Sequence, residues 1–80
     1  MKITEIDSFR KTVLKVVPSS DKEDVSLLVK KIKSLKERPF YSVFILMPDV
    51  LFFKYSKEFK NCGIKFKQAE IKYNIAKLEV

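Results

Sequence analysis

Two short stretches of the sequence carry side chains whose types and spacing could support metal-dependent chemistry. Pro48-Asp49 is followed further along the chain by Glu70-Ile71-Lys72. Two carboxylates can hold Mg²⁺, and a lysine beside them can steady an attacking water and the charge that develops on a phosphate. Together these residues indicate a candidate hydrolytic centre.

The spacing is similar to the written motif of the PD-(D/E)xK nucleases. That resemblance implies that the two motifs lie on adjacent strands, whereas the sequence here predicts a helix between them. The structural alternative is that Asp49 caps this helix while Glu70 and Lys72 point outward from a strand. We therefore expect a non-catalytic protein and keep a metal-dependent nuclease as the third alternative.

The residue types that are missing exclude several other kinds of site. The chain has no histidine, one glycine and one cysteine. These counts exclude Ser-His and Cys-His catalysis, glycine-rich phosphate loops and zinc or iron–sulfur clusters. Asp21, Glu23 and Asp24 form an acidic trio, but a helix N-terminus favours carboxylates for electrostatic reasons. We therefore expect no metal and no cofactor.

The charge of the chain indicates an anionic partner. Lys and Arg number 17 against 10 Asp and Glu, which gives a net charge of +7, and Arg10 and Arg38 are the only arginines. Basic domains attract nucleic acid because binding releases condensed counterions. The predicted second helix and last strand concentrate the lysines. We therefore expect binding to nucleic acid, DNA or RNA, through a lysine-rich face.

One aromatic residue, Phe53, is predicted to lie on the side of the second helix away from its core stripe. Lys57 and Lys60 follow at i+4 and i+7 on the same face. The ring could stack a base while the lysines meet phosphates, or anchor a protein interface, or be covered by a terminal segment. The expected binding residues are Phe53, Lys54, Lys57, Lys60, Lys65, Lys67, Lys72, Lys31 and Arg38.

The last two of these residues belong to the first helix. Leu27, Lys31, Ser34 and Arg38 share an off-core face of this helix. If the two helices pack side by side on a sheet, we expect their off-core faces to merge into one apolar and basic surface.

The clearest secondary-structure signal covers residues 20–38. Ser20-Asp21-Lys22-Glu23 has the S-x-x-E pattern of a capping box. Apolar residues then follow with helical spacing, and Pro39 ends the pattern. The stripe consists of Val25, Leu28, Val29, Ile32 and Leu35.

Residues 41–47 form a continuous apolar run that predicts a central strand buried on both faces. Asp49 is then expected to cap a second helix that ends near Asn61, with Gly63 as its left-handed C-terminal glycine. The expected core stripe of this helix is Leu51, Phe52, Tyr55, Phe59 and Cys62.

Residues 9–17 allow two interpretations, because Phe9, Val13 and Val16 have helical spacing while the many β-branched side chains favour a strand, which we prefer. Residues 64–80 alternate in shifting phase, which fits one bulged strand or two strands. A C-terminal helix also fits, and we prefer strand. The expected fold is a single α+β domain over residues 1–80, a small two-layer helix-on-sheet sandwich of order β-α-β-α-β, with room for one further terminal strand.

The expected cellular location follows from the same composition. The N-terminus has no long apolar core, so we expect no signal peptide. Asp49 and Lys54 interrupt the only candidate for a membrane span, which needs about 18 apolar residues. A lone cysteine fits a reducing cytoplasm. The alternative function is that of a protein–protein interaction module, for example a small regulator or inhibitor of a larger, acidic protein partner, with homodimerisation through an exposed sheet edge as one option.

Overall fold

The computed structural model describes residues 1–19 and 25–80. Across these residues five strands form one sheet, accompanied by two helices, in the order β-β-α-β-α-β-β. The predicted α+β fold is confirmed. The elements are β1 (Lys2–Ser8), β2 (Lys11–Val17), α1 (Val25–Lys36), β3 (Ser42–Pro48), α2 (Asp49–Asn61), β4 (Gln68–Lys72) and β5 (Ile75–Glu79).

The strands lie side by side in the order β1-β2-β3-β5-β4. Only β2 and β3 are parallel, and α1 connects them, because a parallel pair needs a crossover. The antiparallel pairs are β1 with β2, β3 with β5, and β4 with β5. β1 is the further terminal strand for which the sequence left room.

The C-terminal residues form two strands, one of the arrangements that the sequence allowed. β4 and β5 are joined by Tyr73 and Asn74, whose φ angles are 54° and 61°. Two consecutive positive φ values are the signature of a two-residue type I′ hairpin turn, whose twist matches that of the flanking strands.

A single apolar core lies between one face of the sheet and the two helices. The predicted stripe of α1 is buried throughout, whereas α2 buries Leu51 and Phe59. Phe52 and Tyr55 are partly buried against the same core. The sheet residues in the core are Leu14, Val16, Val43, Ile45, Met47, Ala76 and Leu78.

The prediction that β3 is buried on both faces is wrong. Val43, Ile45 and Met47 are buried, but Ser42, Phe44, Leu46 and Pro48 between them are only partly so. Successive side chains of a strand point to opposite faces of the sheet. Both helices pack on the face of Ile45, so the face of Phe44 lacks a covering layer within the described residues.

The start of α2 differs from the predicted cap. Pro48 holds the N-cap position, and no side chain in residues 1–19 or 25–80 caps this end of the helix. Asp49 is the first helical residue, and its N–H donates to the carbonyl of Asn74 at 3.0 Å. The turn of the β4–β5 hairpin therefore satisfies an amide that the sequence assigned to no partner. The predicted capping box at 20–23 and the acidic trio lie outside the described residues.

The end of α2 follows the prediction for Gly63, whose φ is 83°. The N–H of Ile64 donates to Phe59 O at 2.9 Å and the N–H of Gly63 to Lys60 O at 3.0 Å. These two bonds form a Schellman motif, which needs the left-handed residue. Cys62 is exposed, so its predicted burial is wrong. Ile64 and Phe66 of the returning chain cover Phe59 instead.

Candidate functional site

The uncovered face of the sheet, called the open face below, carries the alternate side chains of all five strands. Strand pairing sets Val13 beside Phe44 and Lys15 beside Leu46, which in turn lies beside Lys77. Basic residues outnumber acidic ones on this face. Its charged residues are Lys2, Lys11, Lys15, Lys72, Lys77, Glu70 and Glu79.

Phe44 lies near the centre of the open face between two lysines. The Nζ atoms of Lys11 and Lys77 are 4.9 and 5.6 Å from the centroid of its ring. The ammonium groups of Lys11, Lys15 and Lys77 form no hydrogen bond or ion pair within residues 1–19 and 25–80. Two ammonium groups thus lie over the Phe44 ring without an ion pair in the described residues, and Glu79 of β5 lies beside the same ring.

One end of the open face is apolar. Ile6, Val17, Ile75 and Tyr73 are exposed there, and Leu46 lies between them. They line a shallow depression of about 540 Å³. This end could accept an apolar group of a partner.

The opposite end of the sheet carries the only two arginines. Phe9 and Arg10 form the turn between β1 and β2, and Arg38 and Phe40 lie in the segment before β3. The guanidinium carbon of Arg10 is 5.0 Å from the centroid of the Phe9 ring. Phe9 and Phe40 are among the most exposed apolar side chains of the described residues.

The predicted helical site lies on the outer side of α2. Phe53 is 62% exposed, and its ring contacts only that of Phe52 among the described aromatic pairs, at 5.9 Å. Lys57 and Lys60 are exposed. The Nζ atom of Lys54 lies 5.2 Å from the ring centroid of Tyr55. The structure therefore answers the open question about Phe53, which faces solvent.

The remaining predicted lysines follow α2. Lys65 and Lys67 lie in the segment between α2 and β4, and together with Lys33 and Lys36 of α1 they line a depression of about 450 Å³. Lys36 donates to the main-chain oxygen of Val80 at 3.0 Å. Lys72 lies on the open face instead, with its Nζ 5.3 Å from the Tyr73 ring. The predicted lysines thus occupy two sides of the molecule.

The residues predicted on the first helix, Lys31 and Arg38, are engaged within the fold, although α1 ends at Lys36 and Arg38 lies beyond it. Lys31 forms an ion pair of 2.7 Å with Glu5 of β1, at one edge of the sheet. Phe53 adjoins Phe52, which contacts Phe66 in the segment leading to β4 at the other edge. The predicted merging of the two helical faces is wrong for these residues, because they point toward opposite edges. Arg38 donates to the hydroxyl of Tyr41 at 3.3 Å.

The motif residues of the nuclease pattern are not assembled as adjacent strands would assemble them. Asp49 begins α2, and Glu70 and Lys72 lie on β4, while β5 separates β3 from β4. Glu70 pairs across the hairpin with Lys77. No group of three Cys, Asp or Glu side chains that could hold a metal occurs in the described residues.

The sequence interpretation missed the open face and the arginine end. Lys11 and Lys15 fall on the opposite face of the strand from Leu14 and Val16, which was a visible sign of a strand with one uncovered face. Phe44 gave no such sign, because its run is apolar on both faces.

Comparison of the chain with protein-family models, curated proteins and solved structures finds no match. Neither α1 nor α2, the helices of the described residues, has the length and apolar character that crossing a membrane requires.

Proposed function

We propose that this protein binds single-stranded nucleic acid on the open face of its sheet. The observation that carries the proposal is Phe44, with the ammonium groups of Lys11 and Lys77 within 4.9 and 5.6 Å of its ring centroid. Surfaces that bind single strands combine aromatic rings, on which bases stack, with cations that follow the phosphates.

The energies of a cation–π contact and of base stacking support replacement of the ammonium groups on the Phe44 ring by a base. A cation–π contact at an exposed site contributes about 0.5–1 kcal/mol. Stacking of a base on an aromatic side chain contributes about 1–3 kcal/mol. A base can therefore replace the ammonium groups on the ring, and Lys11 and Lys77 are then free to contact the phosphates on either side of that base.

The charge of the open face supports an anionic ligand. Its strands present five lysines against two glutamates. Release of counterions from a single strand lowers log K by about 0.7 per contacted phosphate for each tenfold rise in salt. Contacts by Lys11, Lys15 and Lys77 would give a slope of about −2 on this scale.

Fluorescence anisotropy of a labelled oligothymidylate or oligouridylate across a salt series tests the proposal. For the wild-type protein we expect log K to fall with log salt with a slope of about −2. We also expect weaker binding to a duplex of the same length. A slope near zero would overturn the proposal, because a phosphate-binding surface must release counterions.

Two matched substitutions locate the site. Phe44→Leu removes the ring from the open face, and Phe53→Leu removes the ring from α2. We expect Phe44→Leu to weaken binding about fivefold or more, as loss of one stacked base predicts. If only Phe53→Leu weakens binding, the site lies on the α2 face with Lys54, Lys57 and Lys60.

The second candidate function is recognition of an acidic protein partner. The exposed apolar end formed by Ile6, Val17, Tyr73 and Ile75 favours it, because surface apolar patches mark protein interfaces. A single cysteine that is free in the fold fits the cytoplasmic location that we propose for either function.

Light scattering of the purified protein and affinity capture with nuclease treatment test the second candidate, recognition of an acidic protein partner. Capture that resists nuclease, and that Ile75→Asp abolishes, would favour it over nucleic-acid binding.

A further inference from the structure

The arginine end, defined as Phe9, Arg10, Arg38 and Phe40, is built by two segments far apart in the sequence. Because β2 and β3 are parallel, the turn before β2 and the segment before β3 meet at the same end of the sheet. The N–H of Ser42 donates to the carbonyl of Arg10 at 2.9 Å and ties the two segments together.

The rings of the arginine end contribute little to the fold. Phe9 is 86% exposed and Phe40 is 88% exposed, so neither ring is part of the core. Burial of aromatic rings is a main source of stability, and the exposed rings of Phe9 and Phe40 contribute little of this stabilisation. The chain places both of its arginines beside them. Arg is better suited than Lys to stacking on flat groups and to binding phosphate in a bidentate manner.

The backbone of the arginine end is strained. Arg10 and Phe40 have φ angles of 55° and 54°. Each is the third residue of a turn, and Pro39 is the second residue of the turn that contains Phe40. A positive φ at the third position is the requirement of a type II turn, which glycine or asparagine normally meets. Bulky residues adopt this conformation rarely, and Tyr73 of the β4–β5 turn is the other aromatic residue of the described chain that does so.

The arginine end is continuous with the open face. Lys11 directly follows Arg10, and its Nζ lies over the ring of Phe44. Arg38 lies with its guanidinium carbon 5.0 Å from the centroid of the Tyr41 ring. Rings and guanidinium planes are the groups on which proteins stack unpaired bases of single strands.

We infer that the arginine end is the second half of the single-strand site. A single-stranded nucleic acid that stacks a base on Phe44 passes Lys11, and its next bases stack on Phe9 and Phe40. Arg10 and Arg38 then contact its phosphates. This inference rests on the function proposed above. It names the unpaired bases and the phosphates of a single-stranded nucleic acid as the ligand, because bases inside a duplex are not open to two rings on turns.

Phe40→Gly tests the inference, because it removes the ring and supplies the residue that the positive φ favours. We expect the melting temperature to stay the same or rise, and affinity for an oligothymidylate of about 12 nucleotides, within the range known for single-strand domains, to fall at least about fivefold. Phe9→Ser should have the same effect on affinity. Val50→Ala, which trims an exposed apolar side chain of α2, is the control and should leave affinity unchanged.

The length of the oligonucleotide separates the two halves of the site. An oligothymidylate of about 4 nucleotides, at the short end of known site sizes, is too short to occupy both halves. We expect Phe44→Leu to weaken binding of both lengths and Phe40→Gly to weaken only the longer one.

Three outcomes would overturn the inference. If the wild-type protein binds no oligonucleotide in a salt-dependent way, the proposed function fails and the inference fails with it. If Phe44→Leu weakens binding but Phe40→Gly and Phe9→Ser do not, the function stands and the arginine end is not part of its site. If Phe40→Gly instead abolishes binding to vesicles containing phosphatidylserine and leaves oligonucleotide binding intact, the arginine end contacts membranes.

Discussion

Thr12 donates a hydrogen bond of 2.8 Å from its hydroxyl to the carboxylate of Asp7, across the β1–β2 pair. Thr12 is fully buried, and this bond uses its only hydroxyl proton. The hydroxyl of Tyr41, which also contacts Thr12 Oγ1, must then be the donor in that contact. Since Arg38 donates to Tyr41, a chain of hydrogen bonds links the arginine end to the interior beside β2.

Thr12→Val should destabilise the protein. Valine has the same shape but removes the partner that Asp7 and the Tyr41 hydroxyl share, which costs about 0.5–1.5 kcal/mol because water can reach the exposed Asp7 carboxylate. Urea denaturation measures the free energy of unfolding. Thr4→Val, at an exposed position of β1, is the control and should change it by less than about 0.5 kcal/mol. Equal values for the two variants would show that the network does not stabilise the fold.

Gly63→Ala should also destabilise the protein, through the backbone alone. A Cβ at Gly63 would meet no atom of the described residues within 4 Å, so they leave space for it. The cost is that of holding a non-glycine residue at a φ of 83°, about 1–2 kcal/mol. This corresponds to a fall of about 4–8 °C in melting temperature for each kcal/mol. The melting temperature of Gly63→Asn should fall less, because asparagine tolerates this conformation better. An Asn variant that is less stable than the Ala variant would contradict the explanation.

The parts of the fold that the sequence predicted are those with a local cause. The stripe of α1 follows from helical spacing, and the end of α2 follows from the single glycine. The uncovered face of β3 has no such cause, because Phe44 and Leu46 are as apolar as their buried neighbours. Which face of an apolar strand is covered depends on where the helices pack, and that is decided by the whole sheet.

The candidate site was predicted only in part for a related reason. Phe53 and its lysines share one helix, so their common face is visible in the spacing alone. The arginine end joins Phe9 and Arg10 to Arg38 and Phe40 through the parallel pairing of β2 and β3. No local pattern encodes a contact between segments so far apart along the chain.

Phe59 and Phe53 should differ sharply in their effect on stability. Phe59 is 1% exposed and contacts Phe66 edge-on at 6.0 Å, so Phe59→Ala should cost about 3–5 kcal/mol. Phe53 is mostly exposed, so Phe53→Ala should change the free energy of unfolding by less than about 0.5 kcal/mol. Chemical denaturation of both variants checks this. A large loss in Phe53→Ala would show that its ring belongs to the core.

Lys31→Gln should have little effect on either stability or binding. Its ion pair with Glu5 lies at the surface, where such pairs contribute about 0–1 kcal/mol and are screened by salt. Binding of an oligonucleotide by this variant should match the wild type, because the Lys31 ammonium is held by Glu5 at the edge of the sheet. If affinity instead falls as much as in Lys11→Gln, the ligand crosses the α1 edge and not the open face.

Cys62 should react with a thiol reagent in the folded protein. It is the only cysteine of the chain, and its side chain is exposed where α2 ends. A buried thiol reacts only when the protein opens, whereas an exposed one reacts at the rate set by its own thiolate fraction. Absorbance of released thionitrobenzoate should therefore show complete reaction without denaturant, at a rate that urea raises little. Cys62→Ser should keep the wild-type melting temperature, and a reaction that requires urea would place the thiol inside the fold.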